Sequence, residues 1–393
     1  MINNCKVKIG FLWNGVLGIS EHSVKAYNYI APFIEQGFEC VTFCRDGLQG
    51  NYPFPIVLFR TSDELLKQKF WIKNKVDLLI IPTWHRMNDI LAAVKNANIK
   101  ILALGESDGQ VSVYFHKWQT FMRLVYMQVG FINKIRASRQ WLFKFIFKSR
   151  VENDYLINNI ELSDFLFLGN TKSVEMLKNF MDLNDRGDLN HKIKFLPYPI
   201  DCRFNSVPDY ERKKNYILAV GRWESPQKNY KLLERVVMKF LKRNRLWSFI
   251  VCGSNCKNIF YNLGNNPRVE LHDSLNLSEM YNVMEKCKIL LNTSRWEGSP
   301  VSINEMLAMG GSIVGPPIPC IESLIHNYPN IPNVCSVAKS YSKEALVEAL
   351  ERAVFGWENN LYCPKAIRDY WFSKVSQKDV MLKLIDYSIR GLS

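Results

Sequence analysis

Residues 288–310 read "KILLNTSRWEGSPVSINEMLAMG" and join an apolar run, a glycine-bearing loop and a helical pattern. The apolar run predicts a buried strand, after which Ser299 suits a helix N-cap and Pro300 the first helical position. A strand followed by a helix is the building unit of a parallel sheet, in which ligands bind beyond the carboxyl ends of the strands. The stretch therefore predicts an α/β fold in which a helix N-terminus at the ligand-binding edge favours an anion.

Strand and helix patterns alternate along the chain on both sides of this stretch. They run from "VKIGFLW" (7–13) to "IKILAL" (99–104), continue over 164–180 and restart at "NYILAVG" (215–221). In between, "IKFLPYPIDCRFNSVPDYERKKN" (193–215) holds three prolines and a charge cluster, which indicate a linker with its boundary near 199–212. The predicted fold class is α/β, with two Rossmann-like domains whose strand ends face a central cleft.

The composition is typical of a globular protein of the cytoplasm. A chain of 393 residues exceeds one ordinary core, and 47% hydrophobic with 22% charged residues excludes a disordered protein. We expect no transmembrane helix, because no apolar window reaches about 18 residues, and the N-terminus lacks the features of a secretion signal. The ten cysteines are scattered, and the pairs Cys40/Cys44 and Cys252/Cys256 lack the flanking ligands of a zinc site. They are predicted to be reduced core thiols.

Four charged residues carry the predicted chemistry. Glu297 precedes the helix of the opening stretch, and Glu305 lies within it, outside the apolar face. Arg222 and Lys228 follow the first strand of the same domain, in "AVGRWESPQKN" (219–229). Carboxylates accept hydrogen bonds from vicinal hydroxyls, and two cations beside a helix N-terminus suit a diphosphate. Each element alone is typical of a solvated surface; their combination at one sheet edge favours a ligand site.

This combination resembles the retaining glycosyltransferases of family 4. The shared features are two glutamates with seven residues between them, Gly-Ser-Pro after the first, and Met-Leu-Ala-Met-Gly after the second. "VGRWESPQKN" and "LPYPIDCRF" are similar to the family's basic loop and interdomain linker. The resemblance covers nearly the whole chain and is strongest over 215–320. It implies the GT-B fold, a nucleotide-diphosphate sugar donor, and no cofactor or catalytic metal.

The resemblance also implies three segments. Residues 1–200 would form an acceptor-binding domain, and residues 201–365 a domain that binds the nucleotide sugar. Residues 366–393 would form a C-terminal helix that returns to the first domain, with "DYWFSKV" (369–375) packed on it.

Site roles follow from the matching positions. Glu305 would bind the donor ribose, and Glu297 the hydroxyls of the transferred sugar. Arg222 and Lys228 would stabilise the departing diphosphate. Glu106 occupies the place where the family usually carries a histidine and is expected near the reacting sugar.

Backbone groups complete the predicted donor site. The loop "WNGVLGIS" (13–20) fits the family's N-terminal glycine loop, where backbone approaches a diphosphate or acceptor. The residues expected to bind the donor through backbone groups are Gly15, Gly18, Gly298, Ser299, Pro300 and Val301.

Residues 114–150 form a basic aromatic segment without acidic residues. It carries eight Lys or Arg and ten aromatic side chains, among them Lys117, Trp118 and Arg123, and accounts for much of the net charge of +14. This composition favours contact with an anionic membrane surface, through which the enzyme would reach a lipid-linked acceptor. The alternative is a connecting helix whose aromatic residues pack and whose basic face is only solvated. No nucleic-acid motif accompanies the charge, so no nucleic-acid partner is expected.

Three functions remain open from the sequence. The main interpretation is a retaining glycosyltransferase acting on a cell-surface glycan or its lipid-linked precursor. Nucleotide-sugar epimerases share the fold but need no acceptor surface. A non-catalytic protein that binds sugar nucleotides would explain the missing histidine, but not the four charged residues.

Overall fold

The structure is a computed structural model, and it describes residues 7–16, 21–45, 54–83, 87–105, 125, 128, 130–147, 149–326 and 334–388. Contacts divide the chain into two compact units. Unit 1 comprises Met1–Phe121, Arg139–Asp201 and Ser376–Ser393, and unit 2 comprises Met122–Ser138 and Cys202–Val375.

Among the described residues, unit 1 contains a seven-stranded parallel sheet. Its strands are β1 (Lys8–Val16), β2 (Glu39–Arg45), β3 (Ile56–Phe59), β4 (Leu78–Thr83), β5 (Lys100–Gly105), β6 (Phe165–Leu168) and β7 (Ile193–Phe195). Their order across the sheet is β3-β2-β1-β4-β5-β6-β7. Two details differ from the sequence expectation. Strand β7 lies within the predicted linker, and residues 14–16 continue β1 instead of forming a loop. An irregularity in the pairing between Trp13 and Val16 lets β1 follow β2 as far as Arg45.

The helices of this part of the chain connect the parallel strands. They are α1 (Glu21–Glu35), α2 (Ser62–Leu65), α3 (Gln68–Asn74), α4 (Asn88–Asn96), α5 (Phe131–Phe147), α6 (Ser149–Leu162) and α7 (Thr171–Asp182). Asn170 caps α7 by accepting a hydrogen bond from the Ser173 N–H at 2.7 Å. One core cluster packs β2 and β4 against α3 and α4, with Phe43 and Trp71 in edge contact, and another packs α6 and α7 on β6. The division between the units falls within α5.

The described part of unit 2 contains a six-stranded parallel sheet. Its strands are β8 (Lys214–Val220), β9 (Ser248–Cys252), β10 (Val269–His272), β11 (Cys287–Leu291), β12 (Ser312–Gly315) and β13 (Cys335–Val337), in the order β10-β9-β8-β11-β12-β13. Its helices are α8 (Tyr230–Arg243), α9 (Cys256–Ile259), α10 (Tyr261–Gly264), α11 (Leu277–Lys286), α12 (Val301–Ala308), α13 (Pro319–His326), α14 (Lys343–Glu358) and α15 (Pro364–Val375). Both sheets have the Rossmann strand order, which confirms the predicted pair of α/β domains.

The C-terminal segment, predicted as one helix over 366–393, forms two helices among the described residues. Helix α15 ends at Val375 and packs on α12 within unit 2, whereas α16 (Gln377–Ser388) belongs to unit 1. Ser376 separates them, because its Oγ accepts a hydrogen bond from the Asp379 N–H at 3.1 Å and so caps α16. Residues 369–375, predicted to pack on the first domain, therefore lie in unit 2, and the chain returns to unit 1 at residue 376 instead of 366.

Helix α16 is tied to unit 1 by specific contacts. Gln377 Nε2 donates to the buried Asn28 Oδ1 at 2.8 Å, and Lys100 Nζ donates to the Ser388 carbonyl at 2.6 Å. Across the described ranges, every helix is too short or too polar to cross a membrane.

Candidate functional site

The predicted site residues of unit 2 lie where its sheet reverses strand order. Strands β8 and β11 are neighbours, with Ile217 opposite Ile289, but the chain leaves β8 towards β9 and leaves β11 towards β12. Connections that diverge in this way open a crevice at the carboxyl ends of the two strands, which is the usual ligand site of an open α/β sheet. The loops 221–229 and 292–300 both begin at this edge.

Glycines allow the first loop to turn sharply beside its neighbour. Gly253, which follows β9, has a φ of +137°, and a Cβ placed there would lie 1.8 Å from the Gly221 carbonyl oxygen. The buried Trp223 fills the adjacent space and donates its Nε1–H to the Cys252 carbonyl at 2.9 Å. The close approach of two backbones therefore fixes the start of the loop that carries Arg222 and Lys228.

The end of the same loop orients Lys228. Pro226–Lys228 form a 3-10 turn, and Asn229 follows in the left-handed conformation with a φ of 54° before α8 begins. Thr293 Oγ1, on the loop after β11, donates to the Lys228 carbonyl at 2.9 Å. The Lys228 backbone is thus held by the opposite loop, and its side chain is directed towards that loop.

Lys228 and Glu297 form an ion pair between the two loops. Lys228 Nζ lies 2.5 Å from Glu297 Oε1, and the two side chains are only 15% and 9% exposed. Ser294 Oγ donates to the same carboxylate oxygen at 2.6 Å, and Gln227 Nε2 donates to Glu297 Oε2 at 3.2 Å. Three donors therefore offset the cost of burying the Glu297 charge.

Arg295 joins the two loops beside this pair. Its guanidinium donates to the Pro226 carbonyl and, at 2.7 Å, to Asn229 Oδ1. Its backbone N–H donates to the Gln227 carbonyl at 2.8 Å, and Gln227 in turn donates to the Trp296 carbonyl at 2.7 Å. These bonds bracket Lys228 on both sides, so the position of its ammonium depends on Arg295.

Helix α12 places Glu305 near the same edge. The helix begins at Val301 with Pro300 as its N-cap, one residue later than predicted, and no side chain caps it. Glu305 is buried together with its neighbours on α12, which corrects the expectation that it lies outside the buried face. The last turn is anchored by the buried Arg368, whose Nη1 donates to the Ala308 carbonyl at 2.6 Å.

The structure brings some predicted residues together and leaves others apart. Lys228 and Glu297 are in contact, whereas Arg222 is exposed at the start of its loop. Gly298, Ser299 and Val301 surround the start of α12, but Pro300 has no N–H and contributes no donor. Gly15 is part of β1 and not of a loop. Glu106 and Gly18 lie outside the described residues.

Sequence reasoning missed three side chains that hold the charged pair, namely Gln227, Ser294 and Arg295. Each lies next to a predicted residue or within three positions of one. The sequence feature that could have identified them is their position on the two loops that follow β8 and β11, because polar side chains of these loops face the same crevice. Within the described ranges no three His, Cys, Asp or Glu side chains cluster as a metal site, and the expectation of no catalytic metal stays a prediction.

Comparison with known families identifies the type of domain that carries these residues. Residues 205–369, which include both loops and α12, match the family model described as glycosyl transferases group 1. The match covers less than half of the chain, and over these residues it supports a domain of the glycosyl transferases group 1 type. No curated protein matches the sequence of the chain at a significant level.

Solved structures support the GT-B fold for this chain. A glycosyltransferase from Rickettsia africae is 13% identical with a TM-score of 0.67, and each chain covers 99% of the other. Anabaena HepE, solved in complex with UDP and glucose, is 11% identical with a TM-score of 0.64 over 97% of this chain and 98% of its own. The lipopolysaccharide outer core galactosyltransferase WaaB is 16% identical with a TM-score of 0.63 over 98% and 100%. At these identities the likeness concerns the fold, and it confirms the predicted GT-B class.

Proposed function

We propose that the protein is a retaining glycosyltransferase that moves a sugar from a nucleotide-diphosphate donor to a cell-surface glycan or a lipid-linked saccharide. The observation that carries this proposal is the buried contact between Lys228 and Glu297 at the sheet's switch point, beside the helix that holds Glu305. A cation, a helix N-terminus and two carboxylates at one edge match the phosphates and hydroxyls of a sugar nucleotide.

The diphosphate would bind at the start of α12. Negative charge develops on it as it leaves the sugar, and a fixed cation beside a helix N-terminus stabilises that charge. Lys228 supplies the cation, and the backbone N–H groups of Gly298, Ser299 and Val301 supply neutral donors. Arg222, exposed on the same loop, adds a second cation from the solvent side.

The two glutamates would bind the sugars at either end of the donor. Glu305 would accept from the ribose hydroxyls, and Glu297 from the hydroxyls of the transferred sugar. Lys228 and Ser294 already donate to Glu297 Oε1, whereas among the described residues Oε2 accepts only the longer bond from Gln227. A sugar hydroxyl would therefore donate to Oε2 or replace Lys228 as that side chain turns to the diphosphate.

Retention would follow from departure and attack on the same face of the sugar. The bond from the anomeric carbon to the diphosphate oxygen breaks, the acceptor oxygen bonds to that carbon, and the acceptor proton passes to the leaving phosphate oxygen. This route needs neither a protein nucleophile nor a metal. The protein contributes electrostatic stabilisation and orientation.

The first test is binding of nucleoside diphosphates, measured as the rise in the melting temperature of the protein. A nucleotide at 100 times its dissociation constant should add about 2.7 kcal/mol of stability. UDP heads the panel, because HepE was solved with UDP. We expect one nucleotide to stabilise the wild type, Glu305→Ala to abolish that response, and Glu348→Gln, an exposed glutamate of α14, to keep it. If no nucleotide stabilises the wild type, the proposed donor site is wrong.

Turnover then separates the three candidate functions. Transfer to a supplied saccharide, with the anomeric configuration of the donor kept, supports the proposal. Conversion of the donor to an epimer without an acceptor would show an epimerase instead. Specific binding without turnover, across a panel of saccharide and lipid-linked acceptors, would indicate a binding protein.

A further inference from the structure

Helix α5 presents large apolar side chains to solvent. Six of them, Phe131, Ile132, Ile135, Leu142, Phe143 and Ile146, are between 45% and 77% exposed. We call these six residues the α5 apolar face. A group of this size on one helix is unusual for a soluble surface and indicates an interaction site.

These side chains lie on one side of the helix. At 3.6 residues per turn they fall within an arc of about 120° around the axis. Ala137 and Trp141, which are partly buried, lie on the opposite side of α5. The helix is therefore partly covered at Ala137 and Trp141 and exposes an apolar stripe on the other side.

Cations accompany the apolar stripe. Arg139 lies within the same arc and Arg136 lies just beyond one edge of it, while Lys134 lies beyond the other edge, and all three are exposed. No acidic residue occurs in α5 or anywhere between Asp108 and Glu152. Long basic side chains extend along apolar surface while their charges stay in the polar layer.

We propose that the α5 apolar face lies in the interfacial region of a membrane that contains anionic lipid. Acyl chains accept the apolar side chains, and lipid headgroups accept Arg136, Arg139 and Lys134. A second copy of the chain fits less well, because a two-fold contact through this stripe would bring the cations of two helices together. A nucleic acid would meet the charges but leave the apolar side chains exposed.

The dimensions of α5 agree with a helix that lies in the plane of the membrane. Its 17 residues span about 25 Å, and its charged residues prevent it from crossing the bilayer. A glycosyltransferase docked in this way would meet a lipid-linked acceptor at the membrane surface. Vesicle binding does not depend on donor chemistry. If the proposed glycosyl transfer were wrong, membrane binding could still be observed, and if membrane binding failed, the proposed donor site would still stand.

The test is flotation of the full-length protein with phosphatidylcholine vesicles, with and without phosphatidylglycerol. We expect the wild type to float only with the anionic vesicles, and the partition to fall as salt rises. The α5 triple variant carries Ile132→Gln, Ile135→Gln and Phe143→Gln. It should lower the partition into anionic vesicles at least about tenfold, because each substitution removes most of the apolar area that the membrane would bury.

A matched triple variant controls for the loss of exposed apolar surface in general. It changes side chains of 61% to 78% exposure in unit 2, Val207→Gln, Leu246→Gln and Phe355→Gln. It should float like the wild type. Both triple variants should keep the melting temperature and the far-ultraviolet circular dichroism of the wild type, which shows that both units are folded.

A charge variant separates the electrostatic part. Arg136→Gln with Arg139→Gln should weaken binding roughly fivefold per charge at low salt. Arg245→Gln with Lys257→Gln removes the same net charge from exposed positions of unit 2 and should have little effect.

Three results would overturn the membrane proposal. Equal binding to both kinds of vesicle would show that anionic lipid is not recognised. If the α5 triple variant floated as well as the wild type, the α5 apolar face would not be the membrane contact. Absence of flotation, together with a wild-type dimer that the α5 triple variant converts to a monomer in light scattering, would assign the face to self-association.

Discussion

Lys228 Nζ lies 2.5 Å from Glu297 Oε1, although the two residues belong to different loops and are 69 positions apart. The proposed function assigns these residues to different parts of the donor, the lysine to the diphosphate and the glutamate to the sugar. In the structure each is the other's partner. Donor binding would therefore exchange a protein–protein ion pair for two protein–donor contacts, so its net gain is smaller than that of filling an uncompensated site.

Removal of one partner should destabilise the protein strongly. Lys228→Met leaves the Glu297 carboxylate buried with two neutral donors, and we expect a loss of about 2–4 kcal/mol in unfolding free energy. Glu297→Gln should cost a similar amount, since it leaves the ammonium buried. In the double variant the losses should fall short of the sum by about 1–3 kcal/mol. Denaturant unfolding of the four proteins gives the coupling, and additive losses would mean that the pair contributes nothing.

Arg295 should affect catalysis more than donor binding. Arg295→Lys loses the planar fork that contacts the Pro226 carbonyl and Asn229 Oδ1, so Lys228 is less well placed for the charge that develops on the diphosphate. Contacts at Glu305 stay intact. We expect kcat to fall about tenfold with little change in KM for the donor.

The matched control for this substitution is Arg268→Lys. Arg268 also binds two carbonyls, those of Asn244 at 2.6 Å and Leu241 at 2.7 Å, but it precedes β10 at the opposite edge of the sheet. It should reduce stability and leave kcat unchanged. Equal losses of kcat in both variants would show that Arg295 acts only through stability.

Most of the fold follows from periodicity in the sequence. Parallel strands are covered on both faces, so runs such as "ILL" (289–291) and "ILAV" (217–220) are apolar throughout and stand out between helical patterns. The three-residue strands β7 and β13 are too short for this signal, and two prolines follow β7 closely. The break at Ser376 was missed because a side-chain cap, and not a proline or glycine, ends the helical run.

The sequence could place several candidate residues at one edge of the sheet but could not give their contacts. Strand order places the ends of β8 and β11 side by side, and this depends on pairing between distant strands that no local pattern encodes. The sequence therefore predicted Lys228 and Glu297 as site residues without showing that they form an ion pair. Burial of Glu305 was missed because α12 is buried on every side from Ile303 to Ala308, its polar residues included, so spacing could not separate a buried face from an exposed one.

Gly253 should tolerate no side chain. A Cβ would overlap the Gly221 carbonyl oxygen at 1.8 Å, and the backbone conformation at φ +137° is itself strained for other residues. We expect Gly253→Ala to cost about 3 kcal/mol or more. Gly37 has a φ of +82° but nothing within 4 Å, so Gly37→Ala should cost only about 1 kcal/mol. Equal melting temperatures for the two variants would contradict the close approach of the loops.

Lys213 should make stability depend on pH in the alkaline range. Its Nζ donates to the Cys287 carbonyl at 2.8 Å, and burial lowers its pKa from 10.5 to about 8. Between these values the unfolded chain keeps the proton that the folded chain has lost, so stability rises with pH. Relative to Lys213→Met, the wild type should gain up to about 3 kcal/mol from pH 8 to 10.5. Lys214→Met, at the exposed neighbouring position, should follow the wild type in urea unfolding across this range. A constant difference between wild type and Lys213→Met would show that the Lys213 ammonium is not buried.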